Sequence, residues 1–95
     1  MKNEPWLSSA IELVNKSVDV STTDYKSLIY IFYEFMSNRS LAKFISILYN
    51  LNKIDVYFQI DNIIARENEN TSEIQYIMEK LKANGLLDWL EETAD

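Results

Sequence analysis

Residues 54–61 read Ile-Asp-Val-Tyr-Phe-Gln-Ile-Asp, and the conformation of this stretch decides the fold class of the chain. On its own, the stretch alternates apolar and polar side chains, as a half-buried β-strand does. In a longer window, polar residues recur every three or four positions, namely Asp55, Gln59, Asn62 and Arg66. This spacing is typical of the solvent face of an α-helix. We therefore predict a helix over residues 53–67.

A small α+β fold is the alternative to this helix. Residues 27–35 are rich in aromatic and β-branched side chains, which favour strands, and they would pair with a strand over residues 54–60. However, the segment 27–35 also repeats its apolar side chains with a helical period. The helical interpretation is therefore preferred for both segments.

The rest of the chain shows helical apolar spacing, interrupted by short polar connections. We expect a compact all-α bundle of five or six short helices in a single domain, residues 1–95, with the second and third helices at its centre. The predicted helices cover residues 5–18, 24–37, 41–51, 53–67, 72–84 and 86–92. Ser40 is expected to cap the third helix. Gly85 is expected to end the fifth, because glycine adopts the left-handed conformation without strain.

The composition excludes most kinds of catalytic site. The chain has no histidine, no cysteine and a single glycine. It therefore offers no imidazole base, no thiolate nucleophile, no ordinary zinc ligand set and no glycine-rich loop for a phosphate. Asp55 and Asp61 are six residues apart on the predicted helix and lie on partly different faces, so they do not form a catalytic carboxylate pair. We expect no enzymatic activity, no metal site and no cofactor.

The net charge of −6 is confined to the last third of the chain. Residues 1–66 contain seven basic and seven acidic side chains, whereas residues 67–95 contain two basic and eight acidic ones. Nucleic acids and anionic membranes require basic surfaces, so neither is an expected partner. An acidic segment suits a basic protein partner instead. The first residues lack the apolar segment of a signal peptide, which favours a cytoplasmic location.

These features predict a small acidic binding protein that inhibits a basic toxin or nuclease by occlusion. Its size and charge are similar to those of bacterial immunity proteins and antitoxins. Acidic residues would steer the encounter with the partner, and aromatic residues among them would supply the buried anchors. The expected partner-binding residues are Glu67, Glu69, Glu73, Tyr76, Glu79, Asp88, Trp89, Glu91 and Glu92.

The alternative function is that of a helical adaptor or a self-associating, dimerising regulatory module. Tyr30 and Tyr33 lie on the more polar side of the second predicted helix. Tyrosine is favoured in protein interfaces because it buries a large area and keeps a polar group, so these two residues form the alternative interface. The four phenylalanines lie on apolar faces and are expected in the core: Phe32, Phe35, Phe44 and Phe58.

Overall fold

The computed structural model describes residues 5–66 and 71–93. Within these residues it contains six α-helices and no β-strand, which confirms the predicted all-α bundle. The helices are α1 (Pro5–Ser17), α2 (Tyr25–Phe32), α3 (Asn38–Tyr49), α4 (Lys53–Ala65), α5 (Thr71–Ala83) and α6 (Leu86–Thr93). One turn of 3₁₀-helix (Val20–Thr22) lies between α1 and α2. Residues 54–60 lie inside α4 and residues 27–32 inside α2, so the α+β alternative is wrong.

The second helix is shorter than predicted. It ends at Phe32, and residues 33–36 turn, with the amide of Phe35 donating a 2.9 Å hydrogen bond to the carbonyl of Phe32. Phe35 remains half-buried against the core, so the apolar pattern continues past the end of the helix. The N-cap of α3 is Ser37 instead of Ser40, and its hydroxyl accepts a 3.2 Å hydrogen bond from the amide of Ser40.

Short polar residues and one glycine fix the ends of the helices. Asp24 is the N-cap of α2 and Asn52 that of α4, and each side chain accepts a hydrogen bond from a backbone amide of the first turn. Asn50 ends α3 in the left-handed conformation, with φ of 55°. Gly85 lies between α5 and α6 with φ of 111°, which confirms it as the end of the fifth helix.

Phe32 lies at the centre of the hydrophobic core. Its side chain is fully buried, and its ring centroid is 5.0 Å from that of Phe44 in α3 and 5.9 Å from that of Trp89 in α6. Five of the eight residues of α2 are buried. This helix contacts α3, α4 and α5, so it occupies the centre of the bundle, as predicted.

The helix α4 is covered on one side. It contacts α2 and α3, and Val56 and Ile60 are buried. Phe58 is 71% exposed on the same helix. The prediction that Phe58 belongs to the core is wrong, because α4 carries apolar side chains on both sides and α2 and α3 cover one of them.

Candidate partner-binding surfaces

The acidic residues of α6 lie on its solvent face. The helix begins directly after Gly85 and buries Leu86 and Trp89, while it packs on α1 and α5. Successive residues of a helix are rotated by about 100°, so the positions between these two turn outward. The exposed residues are Leu87, Asp88, Glu91 and Glu92. We call this set the α6 surface; it combines three carboxylates with a leucine that is 63% exposed.

Trp89 belongs to the core and not to this surface. Its side chain is 5% exposed, and its ring meets that of Phe32 edge to face. The indole Nε1 donates a 2.9 Å hydrogen bond to Oγ of Ser9 in α1. The sequence predicts Trp89 as the apolar anchor among the acids, but the exposed apolar side chain among them is Leu87.

The helix α5 does not extend the acidic surface, because its charges balance. Glu73 and Glu79 are matched by Lys80 and Lys82. Glu79 is exposed, whereas Glu73 is half-buried and its Oε1 accepts a 2.7 Å hydrogen bond from the hydroxyl of Ser27 in α2. Glu73 is therefore part of the contact between two helices. The excess of acid in residues 71–93 lies entirely on α6.

Tyr76 is exposed beside basic side chains. Its side chain is 57% exposed, and Nζ of Lys80 lies 5.4 Å from the centre of its ring, within reach of a cation–π interaction. The same two side chains and Lys16 of α1 line a shallow groove at the end of α1. Two further expected site residues, Glu67 and Glu69, lie outside the described residues.

The two tyrosines of the alternative interface are half-buried. The ring centroids of Tyr30 and Tyr33 are 6.0 Å apart, and Tyr33 packs against the hydrophobic core. Each therefore offers only part of its ring to a partner.

A pair of tyrosines joins three helices near the start of α2. The hydroxyl of Tyr25 donates a 2.6 Å hydrogen bond to Oε1 of Gln59, and that of Tyr49 donates a 2.9 Å hydrogen bond to the carbonyl of Thr23. Their ring centroids are 5.7 Å apart. Burial raises the pKa of Tyr49 to about 12, and the carboxylates of Asp24 and Glu73 contribute to the rise. The phenol is thus held in its neutral, donating form, which suits a structural role.

The buried polar side-chain atoms of the described residues are paired. Every buried side-chain nitrogen or oxygen in residues 5–66 and 71–93 has a hydrogen-bond partner. No three acidic side chains of this part of the chain come together as ligands for a metal ion. None of its helices is long and apolar enough to cross a membrane.

A second surface, on α4, is not among the sites expected from the sequence. Ile54, Tyr57 and Phe58 are 62%, 45% and 71% exposed. Tyr57 and Phe58 come three and four residues after Ile54, which places all three on one side of the helix. We call these three residues the α4 surface. The signal in the sequence is that α4 is apolar on two faces, since Val56 and Ile60 lie on the other.

Comparison with models of known protein families, with curated proteins and with solved structures finds no match to this chain.

Proposed function

We propose that the protein binds a basic protein partner through the α6 surface and inhibits it by occlusion, as an immunity protein or antitoxin does. The observation that carries the proposal is the arrangement of Asp88, Glu91 and Glu92 around the exposed Leu87 on one helix face. A target that holds nucleic acid in a basic groove would match this surface in charge. Inhibition then requires only that the groove be filled, with no chemistry by this protein.

The two kinds of side chain on the α6 surface have different roles in binding. Carboxylates that surround a contact raise the rate of encounter with a basic partner and discriminate against acidic ones. Their contribution to affinity is screened by salt. Leu87 supplies apolar area that becomes buried in the complex, and its removal from water favours association.

The distribution of charge supports α6 over the other acidic positions. Residues 1–66 are neutral as a group, and α5 carries equal numbers of acidic and basic side chains. Among the described helices, α6 therefore offers a basic partner the most favourable electrostatic potential. The proposed partner-binding surface is therefore smaller than the one expected from the sequence, and it does not include Trp89 or Glu73.

Affinity capture with matched variants tests the proposal. The test variant neutralises the α6 acids: Asp88→Asn, Glu91→Gln and Glu92→Gln. The control variant neutralises three exposed acids elsewhere: Glu12→Gln, Glu34→Gln and Asp55→Asn. Both variants lose the same amount of charge, so bulk electrostatics affects them equally.

The proposal predicts that wild type and control retain a basic protein, that salt releases it, and that the α6 variant does not retain it. The isolated partner, assayed as a nuclease or toxin, should lose activity when the wild-type protein is added. Capture of an acidic partner, binding that does not respond to salt, or equal loss of binding in both variants would contradict the proposal.

A further inference from the structure

The α4 surface is a compact apolar patch of one helix. Tyr57 and Phe58 place their ring centroids 5.7 Å apart in an edge-to-face arrangement, and Ile54 lies one turn before Phe58. Phe58 is the most exposed large apolar side chain of the described residues, at 71%. Water contact of this kind is unfavourable, and contiguous exposed apolar patches mark sites of protein contact.

The charges around this patch are balanced. Lys53 and Asp55 lie at the start of α4, Asp61 lies one turn after Phe58, and Arg66 follows the helix. A partner of either sign gains little net attraction here, unlike at the acidic α6 surface. The face therefore suits a partner that is itself apolar and balanced in charge, and a second copy of α4 has both properties.

We propose that the α4 surface is a homodimer interface, in which α4 of two copies packs antiparallel about a two-fold axis near Tyr57. A two-fold interface brings the same patch of both copies together. With the axis at Tyr57, the two aromatic pairs meet at the centre. Lys53 of one copy then lies at the same level as Asp61 of the other, so opposite charges flank the apolar contact at both ends.

The dimer is weak and depends on protein concentration. A fully covered aromatic side chain buries about 150–250 Å², so three side chains that are exposed by about half supply on the order of 300 Å² in each copy. Two such patches fall below the ~1,200 Å² at which specific interfaces begin to be stable, and a transient dimer is expected in that range.

This interface is separate from the α6 surface. The helix α4 packs on α2 and α3, whereas α6 packs on α1 and α5. A dimer formed through α4 therefore leaves the α6 surface of each copy accessible, and the two interactions are independent of each other.

Sedimentation velocity of the full chain from micromolar to millimolar concentration tests the proposal. Wild type should shift from monomer to dimer as its concentration rises, and Phe58→Glu should raise the dissociation constant more than tenfold. Leu87→Glu is the matched control, because it makes the same change at an exposed apolar residue of α6 and should leave dimerisation unchanged. Circular dichroism of both variants checks that the helices are retained.

A charge exchange tests the antiparallel arrangement. Lys53→Asp and Asp61→Lys each place like charges at both ends of the contact, so each protein alone should dimerise more weakly than wild type. An equimolar mixture of the two variants restores opposite charges at both ends and should dimerise as well as wild type does. A monomer at every concentration, a dimer that Phe58→Glu leaves intact, or a mixture no better than its components would overturn the proposal.

Discussion

The hydroxyl of Ser27 donates a 2.7 Å hydrogen bond to Oε1 of Glu73, and this contact ties α2 to α5. Ser27 is the one polar residue among the described ones that is buried, at 4% exposure. The half-buried carboxylate of Glu73 also contributes to the raised pKa of Tyr49 in α3. Glu73, which the sequence predicts to contact a partner, thus contributes to contacts within the protein itself.

Glu73→Ala should lower the free energy of unfolding by about 1–3 kcal/mol, because it leaves the buried Ser27 hydroxyl without its acceptor. Urea unfolding followed by circular dichroism measures the change. Glu73→Gln keeps an acceptor oxygen and should lose less. Glu79→Ala, at an exposed position of the same helix, should stay within about 0.5 kcal/mol of wild type. Equal losses at the two glutamates would show that the hydrogen bond does not contribute.

Two apolar residues of α6, two positions apart, should respond very differently to truncation. Trp89→Ala removes a buried ring that packs on Phe32 and should lower stability by about 3–5 kcal/mol. Leu87→Ala shortens an exposed side chain and should change stability by less than about 0.5 kcal/mol. Thermal or urea unfolding of the two variants measures the difference. A large loss at Leu87 would contradict the orientation of α6.

The pKa of Tyr49 links stability to alkaline pH. Burial and two nearby carboxylates raise this pKa to about 12, whereas tyrosine in an unfolded chain ionises near ~10. The folded state therefore holds the proton more tightly. The contribution to stability is complete below pH ~10 and is lost as the pH rises from about 10 through 12.

Tyr49→Phe isolates this contribution. At neutral pH the variant lacks the hydrogen bond to the carbonyl of Thr23 and should be less stable than wild type by about 0.5–1.5 kcal/mol. The difference should shrink as the pH rises through the same window, because ionisation weakens wild type alone. Urea unfolding at a series of pH values measures it. A difference that stays constant up to pH ~12 would contradict the assignment.

Gly85→Ala should destabilise the protein through its backbone alone. A Cβ at this position would meet nothing within 4 Å, but the φ of +111° is a conformation that side chains disfavour, with a cost of about 1–3 kcal/mol. Asn50→Gly is the contrasting variant, since glycine accepts the φ of 55° more readily than asparagine does. It should be neutral or slightly stabilising, and equal losses at both positions would contradict the backbone explanation.

The helical fold could be predicted because apolar periodicity and capping residues agree along most of the chain. Asn52 shows both: it caps α4 and marks the point where the helical period of residues 53–65 begins. The end of α2 could not be found in this way. Phe35 still packs against the core, although α2 has already ended at Phe32. The apolar periodicity therefore continues beyond the last helical hydrogen bonds.

The candidate sites were harder to predict, because a helical pattern shows which residues share a face but not which face is covered. In α6, Leu87 and Trp89 are both apolar and two residues apart, and the packing of α6 on α1 and α5 decides which one is buried. In α4, Val56 and Phe58 are likewise both apolar and two residues apart, and the packing of the helix decides that Val56 is the buried one. The acidic charge could be located from the sequence to the last third of the chain, but its concentration on α6 within residues 71–93 depends on the lysines and the half-buried Glu73 of α5.

The hydrogen bond between Trp89 and Ser9 joins positions 80 residues apart in the chain, and α1 also packs on α5. Closing a loop of this length carries an entropic penalty that local helix contacts do not. Since α1 precedes α6 in the chain, its contact with α6 can form only after the residues around Trp89 have been synthesised. Until then, the side of α1 that packs on α6 lacks this partner helix.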